Sequence, residues 1–349
     1  MASFTFIIFF LGFVGGLITA VTLIPGIRVS LLDGAVVAIL LYSAYRRVRQ
    51  TKGRARFIPK LWLPILLFPF VALLSGGDLL YIIRWLLYAA LYWVAADSLF
   101  RQEPWRKTLV ACGITIALLG FVQYLLYPDL RNLYYLGWDP HYQLLFSTLL
   151  DPNFAGIILV LTALLLLEKR QMLLFVLITG ALLLTYSRSS FIAFAVGLAV
   201  WGMLTKRKIL VSSIVVGIAV LILLLPHTGE GRNLLRTVSS VARLENAKQA
   251  VERIAQRPLL GFGIQARAGV DTSLLFVGAT TGLVGLASYV WILVSLTRLG
   301  VAKHDATYLG SLAALLVHSL FVNSLFYPWV MAWLWIMAGT VEQKVTACT

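Results

Sequence analysis

Apolar residues gather in twelve runs, roughly 4–23, 29–45, 61–75, 79–98, 108–127, 153–167, 171–186, 191–204, 209–225, 273–297, 307–326 and 328–341. Unbroken apolar stretches of this length predict helices, because half-buried strands alternate apolar and polar positions. Crossing a hydrocarbon core of roughly 30 Å takes about 20 mostly apolar residues. The pattern predicts an all-α fold: a polytopic membrane protein with about 12 transmembrane helices, in a single integral membrane domain over 1–349. Two connections are long. The segment 128–152 is rich in aromatics, and 226–272 carries a predicted amphipathic helix from about Ser240 to Arg257, stopped by Pro258. No internal repeat or low-complexity segment interrupts the pattern.

Composition supports this reading. Of 349 residues, 60% are hydrophobic and 12% charged, and the mean hydropathy is +0.90. A soluble domain is about a quarter charged. Twelve spans take about 240 residues, which leaves no room for a large soluble domain. The net charge of +15 therefore reports topology first. Nucleic-acid binding needs a wetted basic face, and none has room to form. Cys112 lies within an apolar run and Cys348 near the C-terminus, an arrangement that suggests neither a disulfide nor a metal cluster. The first run is long for a signal peptide and lacks a basic flank, so it is expected to be a retained span.

Basic residues give the orientation. Eighteen of the 29 Lys and Arg lie in the short connections 46–60, 101–107, 168–170, 205–208 and 298–304 and in the tail. By the positive-inside rule these are cytoplasmic. Ten lie on the other side, seven of them in 226–272, and Arg84 falls within a run. Both termini are then cytoplasmic, and 226–272 and 128–152 are external.

The candidate chemistry sits on the external face. On the 240–257 helix, Leu244, Ala247, Val251 and Ile254 form an apolar stripe, expected to rest on the membrane domain. Arg243, Asn246, Arg253 and Arg257 form an adjacent stripe. Such guanidiniums either meet lipid headgroups or clamp a pyrophosphate through bidentate forks. Arg188 lies between two runs among Tyr186, Ser187, Ser189 and Ser190, a setting that suits a polar pocket. Arg84 lies within LLYIIRWLLY, at a depth that is expensive unless the charge is paired or faces a cavity. Asp271 is the best-placed external carboxylate for a general base, and it is equally placed to be a helix N-cap. His141 and His227 are external. His304 and His318 read as structural, and the four are too scattered to suggest a metal site. No Walker A, HExxH or GxSxG motif occurs, and Gly261-Phe262-Gly263 has no strand before it.

Three segments resemble the O-antigen ligase and O-antigen polymerase superfamily of bacterial membrane glycosyltransferases: DPNFAG (151–156), TYSRSSF (185–191), and ARLENAKQAVERIAQRPLLGFG (242–263) followed by DTSLLFVGATTGLVGL (271–286). The resemblance implies a multi-helix membrane fold with a long periplasmic loop in the bacterial inner membrane. It implies a donor glycan on undecaprenyl pyrophosphate, an acceptor glycan or lipid A core, and transfer without a metal or other cofactor. Arg188 and Arg243 match the arginines that engage the pyrophosphate. Asp271-Thr272 stands where ligases of this family carry His-Asn, so Asp271 takes the place of the base, and this tilts the reading toward polymerase over ligase. Arg84, Tyr186, Ser187, Asn153, Arg253, Arg257 and Arg267 are the expected substrate-binding residues. Membrane lipids and a chain-length regulator or other assembly proteins are the expected further partners. A transporter or flippase for lipid-linked sugars is the rival from another class. It would place charges near the midplane and show repeated halves.

The topology is testable by labelling intact cells. A cysteine introduced at Gly229 is expected to react with an impermeant thiol reagent, and one at Gly53 is not. The reverse pattern would invert the orientation.

Overall fold

A computed structural model describes residues 2–24, 27–50, 61–97, 102–136, 138–226, 232, 234, 238–266 and 269–346. The helices are α1 (Ala2–Gly15), α2 (Leu31–Gln50), α3 (Trp62–Leu74), α4 (Leu79–Ala89), α5 (Leu91–Ala96), α6 (Gln102–Leu126), α7 (Pro152–Glu168), α8 (Met172–Leu184), α9 (Arg188–Leu204), α10 (Lys208–Leu224), α11 (Val238–Gln256), α12 (Ser273–Ala302), α13 (Ala306–His318) and α14 (Pro328–Thr346). Every apolar run expected to span contains one of these helices or, at α4–α5, a consecutive pair. Among the described residues, three stretches are long and apolar enough to cross a membrane: Leu79–Ala96, Pro104–Leu126 and Ser273–Ala302.

Among the described residues, the fold departs from all-α at a short hairpin and at an isolated bridge between Asp129 and Tyr142. The first run does not continue as helix to residue 23. α1 stops at Gly15, a 3-10 turn covers Gly16–Thr19, and an antiparallel hairpin follows, β1 (Val21–Ile24) with β2 (Ile27–Val29). Val21, Thr22 and Ile24 are β-formers, and they meet a partner strand at once. The run 307–326 also divides. α13 ends at His318, and Tyr327 is extended (φ −81, ψ 126), the conformation that the following Pro328 demands.

Polar contacts gather at two ends of the helices. At one end, called lower here, the Arg106 guanidinium donates to Glu168 (2.9 and 3.1 Å) and Asp305 (2.6 Å), and Arg47 pairs with Asp97. At the upper end lie the hairpin, 128–151, α11 and the 319–327 turn. Arg28 joins the hairpin to the aromatic segment: it donates to Leu136 O (2.6 Å) and covers the Trp138 ring at 4.1 Å. α7 is buried without interruption from Ala155 to Leu167. It is apolar all round, as a central helix must be. α9 and α13 cross at Gly197 and Gly310, where a Cβ on either would meet the other's carbonyl oxygen within 3.0 Å. Small residues permit this close approach between apolar helices.

α12 is broken. Gly282 has φ 65 and ψ −168, a region essentially closed to side-chain-bearing residues. The freed backbone groups receive the Pro258–Gly263 segment: Leu283 N donates to Pro258 O (2.7 Å), Phe262 N to Ala279 O (2.9 Å) and Val284 N to Leu259 O (3.3 Å). The segment after α11 is thus stitched into the fracture of α12. Gly282→Ala should destabilise the protein by about 1–3 kcal/mol or more, since its Cβ would sit 2.2 Å from Leu259 O. The measurement is thermal unfolding in detergent, with proteolysis near 258–263 as a local readout. An unchanged melting temperature would contradict the stitched arrangement.

Candidate functional site

The upper ends of α7, α9 and α13 are locked together by short polar side chains. Ser187 caps α9 by accepting from Ser190 N (3.3 Å), and its hydroxyl donates to Asn153 Oδ1 at 2.9 Å. Ser189 and Ser190 hydroxyls each lie 3.2 Å from His318 Nε2, and His318 Nδ1 meets Ser324 Oγ. Asp151 caps α7 by accepting from Asn153 N (2.6 Å) and Phe154 N (3.2 Å). DPNFAG and TYSRSSF are therefore in direct contact. His318 is fully buried and holds this junction, in keeping with a structural histidine.

This geometry changes the reading of the hydroxyls. Tyr186 and Ser187 are each 2% exposed. The Tyr186 hydroxyl donates to Pro226 O at 3.2 Å. The serine hydroxyls around Arg188 are spent inward, on Asn153 and His318. Ser187, Asn153 and Tyr186, expected substrate-binding residues, thus all make hydrogen bonds within the protein.

Arg188 opens α9, half-buried, with Nη1 donating to Leu234 O at 3.4 Å. Arg243 approaches from α11. Burial pulls its guanidinium below the ordinary arginine pKa, Asp271 opposes that shift, Arg188 adds to it and Asp151 opposes it. These four groups share one electrostatic neighbourhood. Among the described residues, Arg243 has no hydrogen bond or ion pair. The helices α7, α9 and α12 all begin here, and helix N-termini favour anions. A partly desolvated guanidinium beside a second one, at three helix starts, has the chemistry to receive a multiply charged anion.

The face that α11 turns inward is only partly the expected one: Ala247 and Ile254 of the apolar stripe are half-buried, and Leu244 and Val251 are not. Leu244 is 73% and Val251 54% exposed. Arg243, Asn246, Ala250, Arg253 and Ile254 are buried or half-buried. Leu244 and Val251 of the apolar stripe point outward, where a membrane surface can cover them, while Arg243 and Arg253 turn inward together with Ile254, and Arg257 is exposed. Asn246 Nδ2 donates to Asp271 Oδ2 at 2.9 Å and joins α11 to the start of α12. The N-cap of α12 is Thr272, so Asp271 is not the cap. Its carboxylate remains beside Arg243.

The other expected binding residues disperse. Arg253 lies about 15 Å along α11 from Arg243, and Arg257 follows the last residue of that helix. Arg253 donates to Ala266 O (3.3 Å), and Arg257 covers the Phe262 ring at 4.6 Å. Both brace the loop that enters α12. Arg267 lies outside the described residues, as do His227 and Glu230. Arg84 is paired: it grips Asp33 through Nε (2.7 Å) and Nη2, donates to Arg28 O (2.9 Å), and Tyr88 also donates to Asp33. Asp33 was missed from the sequence. Its signal was a carboxylate in the run 29–45, a natural counter-charge for an arginine within another run. Asp139, His141 and Asp151 place one ligand atom each within 4.8 Å of one another. This was also missed, because the three are scattered in sequence, and it is the described group that could hold a hard cation.

Residues 173–290 match the model of a protein family described as O-antigen ligase. The match covers α8 to the first half of α12, including Arg188, Arg243 and Asp271, and bears out the resemblance to the O-antigen ligase and polymerase superfamily. A comparison with curated proteins finds no match.

Arg188→Ala or Arg243→Ala should lower transfer from a lipid-linked glycan at least 100-fold in correctly inserted protein. Arg→Lys should rescue poorly, because the charge stays and the fork is lost. Full activity of either alanine variant would remove that residue from the site. Asp271→Asn keeps a group that can bond to Asn246 and removes the proton acceptor. Loss of a general base costs roughly 100- to 10,000-fold, measured as turnover per folded protein. Near-normal turnover would exclude Asp271 as the base.

Proposed function

We propose that this chain is an O-antigen polymerase-like glycosyltransferase of the bacterial inner membrane, acting at the periplasmic face with both termini cytoplasmic. In this reading its donor is a glycan on undecaprenyl pyrophosphate and its acceptor is a sugar hydroxyl. The observation that carries it is Arg243, half-buried and without a bond among the described residues, next to Arg188 at the helix starts. A lipid anchor fits a site at the upper end of a bundle of apolar helices.

The chemistry needs little else. The acceptor oxygen bonds to the anomeric carbon as the bond from that carbon to the pyrophosphate oxygen breaks. Arg188 and Arg243 stabilise the charge that gathers on the leaving pyrophosphate. Asp271 takes the acceptor proton. Asn246 orients that carboxylate, and the Ser187–Asn153–His318 junction fixes the start of α9 on which Arg188 rides. The same arrangement serves ligation to lipid A core, and the family match, described as O-antigen ligase, is compatible with either role.

The glycolipid ladder of a deletion strain separates the two. A retained single repeat on lipid A core indicates polymerase. Loss of every repeat, with lipid-linked polymer accumulating, indicates ligase. An unchanged ladder would refute both. Purified protein is expected to transfer glycan with no nucleotide sugar and with excess EDTA. Loss of transfer in EDTA, restored by a divalent cation, would instead assign a metal role to Asp139, His141 and Asp151.

A further inference from the structure

Leu244 and Val251 of α11 are exposed, and the heights of the neighbouring helices decide what lies against them. Asp305 N donates to Gly300 O (3.2 Å), and Ser273 N donates to Ser319 O (3.0 Å). These bonds tie α12 to both ends of the shorter α13. Asp305 to Ser319 measures about 21 Å of helix, whereas a straight path from Ser273 to Gly300 would measure about 40 Å. α12 absorbs the excess by folding back at Gly282. Phe276 and Tyr289 both meet the Phe326 ring, at centroid distances of 5.0 and 5.2 Å, although the stretch between them would part them by about 20 Å as a straight helix. Ser273 is thus about 21 Å, and Gly282 at most about 27 Å, above the level of Asp305.

α11 follows the first half of α12 in the same direction. Asn246 bonds to Asp271, a Cβ on Gly278 would sit 2.7 Å from Ile254 Cδ1, and Val284 N donates to Leu259 O. From Asn246 to Leu259 the chain advances about 20 Å while rising only about 6 Å. α11 therefore lies closer to the membrane plane than to its normal. With the Arg106–Glu168–Asp305 layer at the lower boundary, this height falls within a hydrocarbon core of roughly 30 Å.

At about 100° per residue, the side chains divide three ways around the axis. Arg243, Asn246, Ala250 and Arg253 face the bundle. Glu245, Gln249, Glu252 and Gln256 are exposed on a second flank, and Leu244 and Val251 on a third. Val241 and Lys248 fall between the two exposed flanks, where the lysine stem can carry its charge to headgroups. Exposed flanks of opposite character at one height call for two media, water on the carboxylates and hydrocarbon on the leucine and valine. The apolar flank continues into Leu259 and, beside it, into Leu283 and Val284 on the exposed face of α12. Arg243 lies on the side of the inward face next to Leu244, and Asn246 on the side next to the carboxylates.

We propose that α11 is embedded along the outer leaflet of the bilayer, with lipid hydrocarbon against Leu244 and Val251, so that a lipid-borne phosphate reaches Arg243 sideways from the membrane. The choice of leaflet rests on the orientation proposed above, and the sideways route on the transferase reading. The test uses the full chain with Cys348→Ser, since Cys112 is buried, in vesicles of phosphatidylethanolamine and phosphatidylglycerol. Spin labels go singly on Leu244→Cys, Val251→Cys, Glu245→Cys and Gln249→Cys. Collision with oxygen, which concentrates in hydrocarbon, is compared with collision with a water-soluble nickel chelate. The oxygen-to-chelate ratio is expected to be at least about fivefold higher at 244 and 251 than at 245 and 249. In transfer assays, Leu244→Gln should raise the KM for the lipid-linked donor and leave that for a water-soluble acceptor alone.

Chelate contact at 244 and 251 as high as at 245 and 249 would overturn the embedding. Labels there that meet neither reagent would do the same, since they would report a flank covered by protein. An unchanged donor KM in Leu244→Gln would overturn the sideways route. Hydrocarbon contact at 244 and 251 in a protein without transfer activity would sustain the embedding and sink the transferase reading.

Discussion

The buried polar junction of Ser187, Ser189, Ser190, Asn153 and His318 is the constraint on which the rest depends. Apolar helices slide and rotate against one another with little penalty, because dispersion contacts have no direction. Hydrogen bonds do, and in a surrounding of low polarity they are costly to leave unmade. His318 uses both ring nitrogens to tie the start of α9 to the turn after α13, and Asn153 ties the same start to α7. Three helix ends are thereby held at one height and in one rotation. Arg188 is the first residue of α9, so its direction is inherited from this lock.

A second constraint acts on the other arginine. α11 would be a loose amphipathic helix if only its outward apolar residues held it. Asn246 fastens it to Asp271, and the segment after it enters the break in α12. Arg243 is therefore carried on a helix anchored at two points. The break at Gly282 also explains why two halves of one sequence motif, PLLGFG and TTGLVGL, sit some twenty residues apart. They are complementary surfaces of a single joint.

Much of this architecture was legible in the chain. Run length and polarity located every principal helix, and spacing placed α11 within two residues at its start and one at its end. The inward face of α11 was not legible. Periodicity shows that Leu244 and Val251 share a stripe, but it cannot say whether protein or a membrane surface covers that stripe. The role of Asp271 turned on one residue of register, with Thr272 taking the cap. The pairing of Arg84 with Asp33 required knowing which helices are neighbours, which no local pattern encodes. The hydroxyls around Arg188 were visible as a cluster, but their inward direction depended on where α13 ends.

The shortness of α8 and α13 has a chemical consequence. Each has 13 residues, about 20 Å of helix, against a hydrocarbon core of roughly 30 Å. Taking the Arg106–Glu168–Asp305 layer as the lower boundary of that core, the junction beneath Arg188 lies about 10 Å short of the other boundary. On the proposed function, a reaction centre at that depth is poorly supplied with water. An activated glycan held there meets few competing nucleophiles other than the hydroxyl brought to it, so truncated helices would protect the donor from hydrolysis.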